Sequence, residues 1–83
     1  MHIVVRTAGL LGRYLPPGSA GNEARIEIES GTTPFDVMRR LKLPAHDSYL
    51  VMVNGQVVAA AQRPCLQLSD GDDLGIFPPL KGG

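Results

Sequence analysis

Thr33-Pro34-Phe35-Asp36 limits the possible folds of this chain more than any other stretch. Thr33 can cap a helix, Pro34 suits the first helical position, and Asp36 stands where the acid of a capping box belongs. Val37, Met38 and Leu41 follow at helical spacing, Arg39 and Arg40 face outward as a solvated face, and Pro44 stops the run. The pattern predicts one amphipathic helix of two to three turns. Elsewhere the residues run at the period of strands, so this single apolar stripe must lie on one face of a sheet.

Four or five strands can be read around it. His2 to Thr7 is β-branched, with Ile3, Val5 and Thr7 on one face. Arg25 to Glu29 alternates cleanly, and the two segments form a hairpin with a long connection. That connection, from Gly9 to Ala24, carries Gly12, Pro16, Pro17, Gly18 and Gly21 and reads as a loop with one helical turn around Leu10, Leu11, Tyr14 and Leu15. Tyr49 to Val53 and Gln56 to Ala59 flank the tight-turn pair Asn54-Gly55. Ala60 to Gln67 is ambiguous, since Pro64 argues against a regular strand. Ser69-Asp70-Gly71-Asp72 is a turn, Leu74 to Phe77 is the last strand, and Pro78 and Pro79 end it because neither can donate a ladder hydrogen bond. The order is β-β-α-β-β-β.

Eighty-three residues make a single domain, 1–83, and 43% hydrophobic residues without a Trp imply an aliphatic core. Eight basic residues balance eight acidic ones, so nothing argues for nucleic acid or a membrane surface, and no apolar 18-mer or signal pattern appears. A cytoplasmic location and a reducing compartment are expected, with Cys65 the single cysteine. Cys65 has no basic or histidine neighbour in sequence and is expected to be a half-buried structural thiol rather than a persulfide carrier. His2 and His46 lack a third ligand at metal spacing and read as surface residues. Asp70, Asp72 and Asp73 lack the further ligands of a calcium loop and read as a turn that exposes its charges. Gly9 to Gly12 makes no phosphate cradle, so no metal or nucleotide site is expected on this chain.

The chain closes with Ile76-Phe77-Pro78-Pro79-Leu80-Lys81-Gly82-Gly83. Glycine has no Cβ, so an extended Gly-Gly end is the narrowest peptide that can thread into another protein's active site. It presents an uncrowded carboxylate, which becomes a useful electrophile only when a partner attaches a leaving group. The tail 78–83 is expected to be flexible, with its proline pair stiffening the first part.

Three pieces in register, the T-T-P-F-D helix start, the V-N-G-Q-V-V hairpin and L-S-D-G-D-D-L-G-I-F-P-P-L-K-G-G, resemble the MoaD/ThiS family of ubiquitin-like sulfur carriers. The Phe77-Pro78-Pro79 run is most similar to MoaD, the small subunit of molybdopterin synthase. The resemblance implies an α+β, β-grasp fold: a mixed sheet of four to five strands, one main helix packed on one face, and a first strand parallel to the last. It also implies a carrier that is not itself an enzyme. A MoeB/ThiF-like partner would use ATP to adenylate the Gly83 carboxylate, and sulfur from a persulfide would then displace AMP to leave a thiocarboxylate. A MoaE-like large subunit of molybdopterin synthase would take that sulfur for the molybdenum or tungsten cofactor. On this reading Gly83 carries the sulfur, Gly82 is the slender threading position and Leu80 anchors the tail in an apolar pocket. Lys81 lies at the channel mouth, and Phe77, Pro78 and Pro79 lie at the docking surface. The alternatives are a ThiS-like carrier for thiamin or another sulfur metabolite, and a ubiquitin-like modifier joined to proteins through Gly83.

Overall fold

The computed structural model describes residues 1–44 and 49–78. Five strands form one mixed sheet: β1 (His2–Arg6), β2 (Glu23–Glu27), β3 (Leu50–Val53), β4 (Gln56–Val57) and β5 (Asp73–Phe77), in the order β2-β1-β5-β3-β4. One helix, α1 (Pro34–Arg40), stands between the two hairpins in sequence. β1 pairs antiparallel with β2 and parallel with β5, while β3 pairs antiparallel with both β4 and β5. This is the β-grasp arrangement, and the parallel contact of first and last strands is the expected one.

Alternation places the core. Ile3, Val5, Ala24, Ile26, Val51, Leu74 and Ile76 all point to the same side of the sheet and are buried there. Val37, Met38 and Leu41 of the helix stripe join them in one apolar cluster, with Leu43, Tyr49, Val58 and Leu68 closing its margins. Thr33 caps α1 as a capping box: its hydroxyl accepts from the Asp36 amide at 3.2 Å, and Asp36 Oδ2 accepts from the Thr33 amide at 3.1 Å. Replacing Thr33 with Ala removes one half of this exchange and should lower unfolding free energy by about 1 kcal/mol in urea titrations, with an unchanged m-value.

The helix stops earlier than Pro44 requires. Leu41 is its C-cap, Lys42 turns left-handed at φ 60°, and two hydrogen bonds close the end: Lys42 N–H to Arg39 O at 3.0 Å and Leu43 N–H to Met38 O at 3.1 Å. That is a Schellman closure, with Leu43 buried beside the Met38 turn. A glycine is the usual occupant of the left-handed position, because a Cβ is strained there. Lys42→Gly should therefore raise stability by roughly 0.5–1 kcal/mol, visible as a higher melting temperature.

Other boundaries move for reasons of register. β2 spans Glu23–Glu27 rather than Arg25 to Glu29, because Arg6↔Glu23 and His2↔Glu27 set its paired limits. The alternation nevertheless continues to buried Ile28, whose amide donates to Met1 O at 2.7 Å. β4 is only two residues long: after Val58 N–H bonds Val51 O, the chain enters a 3-10 turn at Ala60–Gln62. The expected turn near Leu10 is also a 3-10 helix, Gly9–Tyr14. Asn54 and Gly55 both have positive φ, 51° and 82°, as a two-residue hairpin turn that matches strand twist demands.

Candidate functional site

The position of β5 decides where the tail begins. It is the middle strand of the sheet, flanked by β1 and β3, and its last pair is Leu50↔Phe77. Parallel pairing brings the end of β1 to the same edge, through Arg6↔Gly75. The chain thus leaves the sheet from its centre, and Pro78, which follows Phe77, is exposed. Pro79, Leu80, Lys81, Gly82 and Gly83 lie outside the described residues, as does His46.

Phe77 is half-buried and does not belong to the core cluster. Since Leu74 and Ile76 face the helix side, Phe77, Gly75 and Asp73 face the opposite, open side. Register adds their neighbours on that face: half-buried Leu50 and Met52 on β3, exposed Val57 opposite Met52, and Val4 and Arg6 on β1. Phe77, Gly75, Met52, Gly55, Arg6 and Asp73 line a shallow pocket of about 200 Å³ beside the root of the tail. Its apolar part comes from the ring and the methionine.

Charge is concentrated at the pocket's rim. Arg6 is half exposed and lies between two carboxylates, 2.7 Å from Asp73 Oδ2 and 2.6 Å from Glu23 Oε1. The hydrogen bond to Asp73 is the main reason its guanidinium is held even more firmly protonated than usual, followed by the charges of Asp73 and Glu23. Two carboxylates against one guanidinium leave this rim formally acidic.

The aspartates of the 69–72 turn do structural work rather than merely exposing charge. Asp70 Oδ1 accepts from the His2 amide at 2.8 Å, fastening the turn to the start of β1. Asp72 accepts from the Ser69 amide at 2.7 Å and from the Asn54 side chain at 2.9 Å, and the Asp73 amide donates to Asn54 Oδ1 at 2.9 Å. The entry to β5 is thereby tied to both neighbouring strands. Among the described residues no group of three or more His, Cys, Asp or Glu is placed to hold a metal.

One expectation needs correction. Cys65 is exposed, not half-buried: it lies on the surface turn after Ala60–Gln62, with its thiol 3.8 Å from Ala61 O. The residues that turn inward there are Arg63 and Leu68. Arg39 and Arg40 are exposed on the helix as expected, where Arg40 Nη1 donates to Glu27 O at 2.6 Å and Arg39 stands 5.8 Å over the Phe35 ring. His2 is at the surface as expected. Arg6, Met52 and Gly75 were not singled out by sequence reasoning, although an isolated glycine inside a strand is a known sign of close approach.

Comparison with known proteins agrees with this geometry. Residues 18–83 match the model of the ThiS family. No curated protein sequence matches the chain. Among solved structures, the HVO 2177 protein of Haloferax volcanii is similar at 22% identity, covering 100% of this chain and 87% of that one, with a TM-score of 0.78. Small archaeal modifier protein 1 from the same organism is 18% identical over 95% of this chain and 98% of its own, with a TM-score of 0.72. The complex of subunits 1 and 2 of molybdopterin-converting factor from Helicobacter pylori contains a chain 17% identical, with full coverage of both and a TM-score of 0.63. Identities this low speak for a shared fold.

Proposed function

Because the chain belongs to the ThiS family of ubiquitin-like sulfur carriers, we propose that it delivers sulfur on a thiocarboxylate at Gly83 for molybdopterin synthesis. The observation that carries this reading is the family match running through residue 83, on a strand that leaves the centre of the sheet beside an open apolar face. The Phe77-Pro78-Pro79 run and the similarity to a chain of the molybdopterin-converting factor complex favour the molybdopterin branch.

The chemistry asks little of this chain beyond presentation. The Gly83 carboxylate attacks the α-phosphorus of ATP in a partner's active site, pyrophosphate leaves, and the acyl group gains AMP as a leaving group. The terminal sulfur of a partner's persulfide attacks that carbonyl carbon and expels AMP, giving an acyl disulfide, and a second thiol then attacks the partner's sulfur, forms a disulfide with it and releases the thiocarboxylate. Its sulfur is then the nucleophile delivered to the acceptor. Partners hold the catalytic groups, and the carrier supplies position. Pro79 to Gly83 can reach at most about 17 Å at ~3.3–3.6 Å per residue, so the carrier body must dock close to the partner's active site. On this reading Phe77, Pro78 and Pro79 stand at that root, Leu80 anchors in an apolar pocket of the partner, Lys81 lies at the channel mouth and Gly82 threads the channel.

Reconstitution tests the branch. Thiocarboxylated chain mixed with a molybdopterin synthase large subunit and its sulfur-free pterin precursor should yield molybdopterin. Product with a thiazole synthase instead would move the chain to the thiamin branch. A second reading, protein modification through Gly83, is favoured by the likeness to a small archaeal modifier protein and by Lys81 directly before Gly82-Gly83. Trypsin cuts after lysine, so conjugates would leave a Gly-Gly remnant on target lysines in cell digests. Finding no such remnant on any protein would remove this reading.

A further inference from the structure

Asn54 and Gly55 form the exposed turn between β3 and β4, and the pair carries a chemical liability as well as a favourable shape. The backbone nitrogen of a residue that follows asparagine can attack the side-chain amide carbon, and a glycine there offers no Cβ to hinder the approach. Gly55 stands clear: beyond its chain neighbours, nothing lies within 4 Å of where a Cβ would be. The Asn54 side chain, by contrast, is occupied at both ends. Its Nδ2 donates to Asp72 Oδ1 at 2.9 Å, and its Oδ1 accepts from the Asp73 amide at 2.9 Å. The Asn54 backbone amide donates in turn to Asp73 O at 2.8 Å. The side-chain amide therefore faces the start of β5, and it cannot swing onto the Gly55 nitrogen without breaking both of its hydrogen bonds.

We propose that Asn54 is a deamidation site that the fold holds shut, and that an acid formed there unlatches the start of β5. In the reaction the Gly55 nitrogen gives its proton to hydroxide and bonds to Cγ of Asn54. The Cγ–Nδ2 bond breaks, and ammonia leaves as a succinimide ring closes. Water then adds to either ring carbonyl and gives aspartate or its β-linked isomer, with no enzyme or oxidant consumed. An aspartate at position 54 has no hydrogen to give Asp72, so one carboxylate meets another where a hydrogen bond had been. Asp72 is held in place, because its other oxygen accepts from the Ser69 amide at 2.7 Å. Arg6, the cation beside Asp73, is already committed to Asp73 and Glu23. Backbone strain plays no part, since aspartate tolerates the left-handed φ of 51° much as asparagine does. In an unfolded chain neither protecting hydrogen bond exists. The change thus accumulates in chains that spend time unfolded and makes their return to the native state less favourable, whatever the tail carries.

Purified chain is incubated at one mildly alkaline pH in native buffer and in enough urea to unfold it, and the peptide spanning Asn54 is followed by mass spectrometry for amide-to-acid exchange. With two hydrogen bonds to break, one of them to a carboxylate, the native reaction should run roughly a hundredfold slower than the reaction in urea. Asp72→Asn leaves a single acceptor oxygen where Ser69 and Asn54 each use one, so it should speed the native reaction about tenfold and leave the rate in urea unchanged. Asn54→Asp should fold but melt about 4–8 °C lower than wild type. Adding Asp72→Asn to it should restore the melting temperature, because the new amide at position 72 donates to the carboxylate at position 54 while its oxygen still serves Ser69. A native rate equal to the rate in urea, an Asn54→Asp chain that melts with wild type, or a double variant no more stable than Asn54→Asp alone would each overturn the proposal while leaving the carrier reading intact.

Discussion

Deleting Gly83 should abolish sulfur loading completely and leave the melting temperature where it was. Among the described residues, every member of the apolar cluster lies between Ile3 and Ile76, so the truncation removes none of them. What it removes is position: the new carboxylate stops about 3.3–3.6 Å short of the place where ATP's α-phosphorus is presented. Displacements of about 1 Å already cost on the order of a hundredfold in an oriented reaction, so no adenylate should accumulate. Adding one residue after Gly83 tests the same geometry from the other side, because it buries the acyl carbon in a peptide bond and offers a misplaced carboxylate instead. Both variants are read by intact mass after incubation with the activating enzyme, ATP and a sulfur donor. Loading of either at the wild-type rate would mean that the terminal glycine is not the reactive position.

The second large effect is on the body that presents the tail. Leu74 is fully buried on the central strand, where it faces α1 as part of the apolar cluster. Leu74→Ala removes three carbons from a site beside its register partners Val5 and Val53, and should cost about 3–4 kcal/mol. A domain of this size has roughly 4–12 kcal/mol to lose. At about 4–8 °C per kcal/mol, melting should fall by some 12–30 °C, followed by circular dichroism. Val57→Ala is the matched control: Val57 is 66% exposed on β4, so melting should hardly move. Because β5 carries both Leu74 and the root of the tail, the Leu74 variant should also lose loading as its melting temperature is approached, and recover on cooling.

Much of this architecture was legible because local chemistry and burial agreed. The capping box of Thr33 and Asp36, the Asn54-Gly55 turn and the alternation through Ile26 and Ile28 are each dictated within a few residues of chain. The features that escaped are those decided by a distant or unmarked neighbour. Nothing in the identity of Lys42 announces a left-handed helix end; Leu43 folding onto the core imposes it. The limits of β2 depend on where β1 begins, and the parallel pairing of β1 with β5 came from family resemblance, not from hydrophobic pattern. Cys65 was expected to be a half-buried structural thiol because no basic or histidine neighbour stands beside it in sequence, but the 3-10 turn at Ala60–Gln62 sends Arg63 inward, where it donates to Tyr49 O at 2.6 Å, and leaves the cysteine exposed. The tail sequence named a site, and the sheet supplied its surroundings: the open face, the acidic rim around Arg6, and the glycine beneath Phe77.

One measurement bears most directly on the central claim that this small sheet exists to present an activatable terminal acyl group. Purified chain is incubated with adenylating enzyme, ATP and a persulfide donor, and the C-terminal peptide is sequenced by mass spectrometry. The account predicts exchange of a single oxygen for sulfur, located on Gly83 and dependent on ATP. An unmodified Gly83 in the presence of an enzyme shown to load another carrier of this family, or sulfur found on Cys65 instead, would contradict it.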